Sequence, residues 1–144
     1  KFVYDKGYTD KKFISIETLS GVKYLTLQVA GGKVKTVAVD MGQAKAEKPI
    51  NLTVDGETVS LIPVSVGNPH AVIFVDDIEK APLTKLGPII EHHEAFPDGV
   101  NVEFVEVLGA DKLRMRVWER GSGVTMACGT GACASVMAAI AAKH

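Results

Sequence analysis

The patterning along this 144-residue chain predicts an α+β fold in which an antiparallel sheet rolls around a central helix. Two observations carry that expectation. Apolar–polar alternation recurs in pairs of segments joined by glycine-containing turns, as in antiparallel hairpins. The last regular segment, residues 129–143, is apolar nearly all round and rich in alanine, which marks a helix to be buried. Its small side chains would let surrounding strands approach it closely.

Residues 1–6 read as the closing turn of a helix, with Gly7 as its cap. Residues 12–18 and 22–29 alternate on either side of Ser20-Gly21 and predict a hairpin. Gly31-Gly32 interrupts the pattern before a strand over 33–41, and the change there allows a domain boundary. Residues 51–60 form the clearest hairpin, with Asp55-Gly56 at its turn. Its second arm runs on to Val66, and Pro63 within it suggests a sheet edge or a bulge. After Gly67-Asn68-Pro69, residues 70–75 read as a strand buried on both faces. Residues 81–96 are helical in pattern, with Pro82 in the first turn and Pro88 kinking or splitting the helix. Pro97-Asp98-Gly99 is a turn, and residues 100–107 and 112–119 alternate as the last hairpin. Gly121-Ser122-Gly123 then leads through a short apolar strand to the terminal helix.

A chain that is 47% hydrophobic and 23% charged, with a net charge of −1, is ordinary for a globular protein. The near-neutral charge gives no sign of a nucleic-acid or membrane surface. No apolar run reaches the roughly 18 to 20 residues that a bilayer requires. The first residues lack the apolar region of a signal peptide, and the chain opens mid-pattern, so a piece of a longer protein is expected. Cys128 and Cys133 sit at one end of one element, a placement that suits neither a disulfide framework nor a zinc site. A reducing cytosol is the expected compartment.

Cys128 lies where the strand meets the helix. Free backbone N–H groups and the positive end of the helix dipole favour a thiolate at such a junction. Gly129 and Gly131 remove side chains that would keep an anion from those N–H groups. A small buried cysteine among turn glycines is the plainer reading, and the residues alone leave both open. Other polar residues gather at strand ends: Asn68, His70, Asn101, Glu119, Arg120 and Thr130, as on the rim of a pocket. Each has an ordinary alternative, such as an Asn-Pro turn, a satisfied strand-end histidine or a solvated Glu-Arg pair. His92-His93, flanked by Glu91 and Glu94, suggests a metal, yet neighbouring helical positions point about 100° apart and do not converge on one ion. No metal is expected. Cys128 and Cys133 lack the C-x-x-C spacing of a redox pair, and Gly129-Thr-Gly131 is too short for a dinucleotide or P-loop fingerprint.

Taken together, Gly67-Asn-Pro-His70, Asn101-Val-Glu-Phe104, Trp118-Glu-Arg-Gly-Ser-Gly123 and Ala127-Cys-Gly-Thr-Gly-Ala-Cys-Ala134 resemble the diaminopimelate epimerase family, in its order and at similar separations. The resemblance covers the whole chain. It implies a cytoplasmic isomerase of lysine biosynthesis that interconverts LL- and meso-diaminopimelate with no pyridoxal phosphate, metal or other cofactor. It also implies two similar α+β domains with the site in the cleft between them. On that basis residues 1–29 would close the first domain and 30–144 would form most of the second, lacking its last strands. The diaminopimelate-epimerase-like fold would thus be incomplete in this chain.

The resemblance further implies a catalytic set of Cys128, His70 and Glu119, with Cys128 as one of two cysteine bases. Gly129 and Thr130 would offer N–H groups to the substrate carboxylate, Asn68 and Asn101 would bind its polar groups, and Glu119 and Arg120 its α-amino group or distal end. Cys133 would be structural. The partner is a small molecule, with no nucleic acid or membrane, and a homodimer is an assembly the resemblance allows. The family's Cys-Gly-Asn-Gly motif, which holds the other base, is absent here, so the 144 residues alone are expected to be inactive. Alternatives are a racemase or isomerase of the same fold, an inactive carboxylate-binding module, and acyl transfer by Cys128 activated by His70.

Overall fold

The computed structural model describes residues 1–18 and 21–144. Contacts divide the chain into two compact units, Lys1–Gly42 and Gln43–His144. Gly31-Gly32 is a tight turn inside the antiparallel sheet of the first unit.

In the first unit a single helical turn, α1 (Phe2–Asp5), ends at Gly7 with φ +77°, as the glycine cap predicts. The Asp5 carboxylate accepts from the Val34 N–H at 2.8 Å and ties the turn to the sheet, which holds its carboxyl below the usual range. That sheet runs β1 (Phe13–Thr18), β2 (Gly21–Ala30) and β3 (Lys33–Val39), all antiparallel. The expected first hairpin is present. Ser20 of its turn lies outside the described residues.

The second unit is a layered α+β domain. A brief β4 (Lys45–Ala46) is followed by β5 (Ile50–Val54) and β6 (Glu57–Ser65), joined by Asp55-Gly56 with both φ positive, the geometry of a tight hairpin turn. Then come β7 (Pro69–Phe74), a 3₁₀ turn at Ile78–Lys80, α2 (Leu83–Glu91), β8 (Asn101–Gly109), β9 (Lys112–Glu119), β10 (Gly123–Thr125) and α3 (Gly129–Ala142). Strand order is β10-β9-β8-β7-β6-β4, with β5 also on β6.

One pair departs from the antiparallel expectation: β7 and β8 are parallel. The connection between them carries α2, and a helical crossover returns the chain in the same direction. Pro63 is not on an edge. Its carbonyl accepts from Glu47, and β6 is bordered by β5 below that point and by β4 above it. Nitrogen and oxygen of one strand residue point to the same side, so the missing N–H falls where the sheet changes partner. Pro88 remains inside α2, which stops at Glu91 well before the expected end.

Alternation gives the sheet two different faces. Ala71, Ile73, Val102 and Phe104 pack with Leu83, Leu86 and Ile90 of α2 in an apolar core, which Trp118 borders. Trp118 lies so close to Gly87 that a Cβ there would stand 2.6 Å from its Cγ, which is why that helical position is glycine. The other face holds His70, Val72, Glu103 and Val105 and is covered by Ala134, Ser135 and Ala138 of α3. The small residues of α3 do admit close approach of the strands. The helix is not buried all round, however: Val136 and Ile140, one turn apart, are 52% and 64% exposed.

Candidate active site

The thiol is set by a helix cap. Cys128 has extended backbone and occupies the N-cap of α3, the place usually held by Ser, Thr, Asp or Asn. Its Sγ accepts from the Gly131 N–H at 3.3 Å and lies 3.5 Å from the Thr130 hydroxyl. The N–H groups of Gly129 and Thr130 have no acceptor within the helix, as for every first turn. The two glycines of the motif differ in purpose. A Cβ on Gly129 would meet nothing within 4 Å, whereas one on Gly131 would stand 2.7 Å from Glu103 Oε1 and 3.2 Å from Cys128 Sγ. Gly129 leaves the approach to the N–H groups open, and Gly131 leaves room for a carboxyl beneath the cap.

From the cysteine a row of polar groups leads into the sheet. Asn68 Nδ2 donates to Thr130 Oγ1 at 3.3 Å, and Asn68 Oδ1 faces His70 Nε2 at 3.1 Å. His70 Nδ1 is 2.7 Å from Glu103 Oε1. His70 and Glu103 reach each other because parallel β7 and β8 turn alternate side chains to the same face. Both are buried. Burial pushes the Glu103 carboxyl above its ordinary range, the Glu119 charge adds to this, and His70 opposes it. Glu103 Oε2 has no hydrogen-bond partner among the described residues.

A second set of bonds fixes the turn before β10. Asn101 Nδ2 donates to the Pro69 carbonyl at 2.9 Å, and its Oδ1 accepts from the Arg120 N–H at 3.0 Å. The Arg120 guanidinium donates to the Asp98 carbonyl at 3.0 Å. Glu91 Oε1 accepts from the Gly121 N–H at 2.7 Å and Oε2 from the Trp118 indole at 2.6 Å, bonds that hold this carboxyl below its usual range, the indole first. Glu119 accepts from the Thr125 hydroxyl.

Of the residues expected at the site, Asn68, His70, Cys128 and Thr130 therefore form one connected row, joined through the Gly131 N–H to the helix. The Glu119 charge acts on Glu103, the partner of His70. Asn101 and Arg120 are bonded to each other and to main chain in the neighbouring turn. Cys133 is a free thiol outside the row. His93 Nδ1 accepts from Ala95 N–H, and His92 stands 3.8 Å from Glu91. Asn68 and His70 line a cleft of about 370 Å³ with Ser65 and Phe96, while Cys128 borders a separate recess with Thr125 and Met126. Sequence reading gave no site role to Glu103, met only inside the Asn101–Phe104 motif, or to Glu91, met only beside His92-His93. The available signal for Glu103 was an acid in mid-strand, flanked by Val102 and Phe104.

Known proteins place these features in a lineage. A sequence profile described as diaminopimelate epimerase matches residues 62–144. The diaminopimelate epimerase of Phocaeicola vulgatus is 52% identical over 97% of this chain, and that of Bacillus cereus 48% identical over 97%. The chain spans 54% of the length of each, about half of these curated relatives. Among solved structures, a probable proline racemase from Agrobacterium radiobacter superposes with TM-score 0.77 at 20% identity, covering 98% of this chain and 49% of that one. A hydroxyproline epimerase from Agrobacterium vitis gives 0.78 at 18% identity, covering 99% and 49%. These two share the fold, and the sequence identity along nearly the whole length decides the family: the chain belongs to the diaminopimelate epimerases.

Proposed function

We propose that this chain supplies one half of a two-base site that inverts an α-carbon of diaminopimelate, in cytoplasmic lysine biosynthesis, in a protein that could assemble as a homodimer. The observation that carries the reading is the placement of Cys128: a partly exposed thiol capping α3, with the Gly129 and Thr130 N–H groups open beside it.

Inversion requires a proton to leave one face of the α-carbon and another to arrive on the opposite face. The Cys128 thiolate takes the α-proton and becomes a thiol, and the electron pair remains on carbon, conjugated with the carboxylate. A facing thiol then gives its proton to the other side and is left as thiolate. In the reverse direction the two exchange roles. The facing cysteine would come from a part of the protein outside these residues. The carbanion needs fixed dipoles aimed at the carboxylate, which the first-turn N–H groups of α3 provide. Asn68 and Asn101 would bind polar groups of the substrate, Glu119 and Arg120 its α-amino group or distal end, and His70 with Glu119 would tune the thiol.

The test is α-proton exchange into deuterated water, with labelling of the reactive thiol by an aziridine analogue of diaminopimelate. In the full-length protein Cys128→Ala should lower exchange by about 10³-fold or more, and the label should sit on Cys128. Labelling of Cys133 instead overturns the assignment of the base. Exchange catalysed by the 144 residues alone overturns the two-part site.

A further inference from the structure

We propose that Glu103 is a positioning residue for the thiol: it holds the His70 ring with Nε2 as proton donor and so sets the direction of a hydrogen-bond row that ends on the Cys128 sulfur. The proposal rests on the epimerase reading for what the thiol does, and on geometry alone for how the row is ordered.

Each donor in the row follows from its neighbour. Asn68 gives an amide hydrogen to Thr130 Oγ1, so its carbonyl oxygen is the atom facing His70 Nε2, and that oxygen can only accept. Nε2 therefore carries hydrogen. Thr130 Oγ1 has accepted from Asn68, and its own hydrogen is free for the sulfur 3.5 Å away. With the Gly131 N–H at 3.3 Å, the sulfur is faced by two donors.

The remaining atom of the ring is Nδ1, 2.7 Å from Glu103 Oε1. One proton lies between them. Whether it sits on the carboxyl beside a neutral ring or on the ring beside a carboxylate, Nε2 keeps its hydrogen and the pair is electrically neutral, the form that a fully buried site tolerates. The bare Oε2 and the upward push of burial both weigh against an isolated carboxylate. Without a partner at Nδ1 the ring could hold its hydrogen there instead, and the Nε2 lone pair would face the Asn68 oxygen, breaking the row. Among the described residues Glu119 of β9 is the further charged group that acts on Glu103, and the α3 N-cap brings Cys128 to the same glycine: a Cβ at Gly131 would stand 2.7 Å from Glu103 Oε1 and 3.2 Å from Cys128 Sγ, so the glycine is what lets the carboxyl lie under the cap.

The experiment uses the full-length protein in a Cys133→Ser background. It compares iodoacetamide alkylation of Cys128 across pH in the parent, Glu103→Gln and Glu103→Met, alongside imidazole nitrogen NMR of His70. Gln can still donate to Nδ1, so its alkylation profile should stay within about twofold of the parent; Met cannot, and the neutral-pH rate should fall about tenfold with the profile moved to higher pH. The parent spectrum should show His70 protonated at Nε2. A parent ring bearing hydrogen at Nδ1 and none at Nε2 overturns the proposal, and that reading needs no variant to fold. A folded Glu103→Met protein with the parental alkylation profile overturns it as well. Parent protein that exchanges no α-proton defeats the epimerase reading and leaves the alkylation comparison intact.

Discussion

Glu91 and Glu103 are the same residue type, both buried, on opposite sides of one sheet, and their carboxyls are driven in opposite directions. Glu91 has both oxygens engaged, by the Trp118 indole and the Gly121 N–H, and charge is favoured there. Glu103 has one engaged oxygen and one bare, and charge is disfavoured. The first arrangement is what a structural carboxylate needs: it locks the turn that carries Arg120 against α2. The second keeps a proton in play next to a row leading to sulfur. Two things separate the roles: Glu103 lies deeper, so burial dominates its carboxyl, and fewer donors are turned toward it than toward Glu91.

The largest expected effect comes from breaking the structural side. Glu91→Ala takes the acceptor from the half-buried Trp118 indole and from the Gly121 N–H and should lower stability by about 2 kcal/mol, read as a fall in denaturation midpoint. If the comparison holds, the intrinsic rate of Cys128 alkylation under native conditions should hardly change. A large change in that rate with little loss of stability would invert the two roles.

Gly131→Ala strikes the other side. Its Cβ would crowd Glu103 Oε1 and Cys128 Sγ at 2.7 and 3.2 Å. Stability should drop by about 1 kcal/mol, partly offset by the better helix propensity of alanine, while alkylation at Cys128 should shift by about fivefold or more. An unchanged rate would mean that the cap and the carboxyl are not coupled through this glycine.

The smallest effect is in the pH dependence of stability, where the two acids should have opposite slopes. Glu91, lowered from 4.5, contributes stability that is present above that value and lost as pH falls through its folded value. Glu103, raised from 4.5, binds its proton more readily in the folded state, so stability is greatest below that value and declines as pH rises through the folded value. Chemical denaturation of Glu91→Gln and Glu103→Gln across the acid range should flatten the acid-side loss in the first and the decline on raising pH in the second. The same slope in both would erase the distinction.

Much of this molecule was legible in the sequence because the signals are local. Alternation, the Asp55-Gly56 turn, the buried run at 70–75 and the strand–cysteine–helix junction each depend on residues within a few positions of one another, and these features stand close to where they were expected, whereas α2 ends early and β4 was unforeseen. Asn68, His70, Cys128 and Thr130 were marked by lying at strand ends, and they do meet. Glu103 was missed because only its strand neighbour, across the parallel β7–β8 pair, turns a mid-strand acid into a partner for His70.

By itself, then, the sequence determined the elements, their turns and the capping cysteine, since backbone propensity and amphipathic period act over one or two turns of chain. Tertiary structure alone decided that β7 and β8 run parallel, that Pro63 sits at a change of strand partner, and that one buried glutamate is saturated while the other is not. These are properties of which groups far apart in the chain come to face each other, and no local pattern encodes the partner that a residue will meet across a sheet.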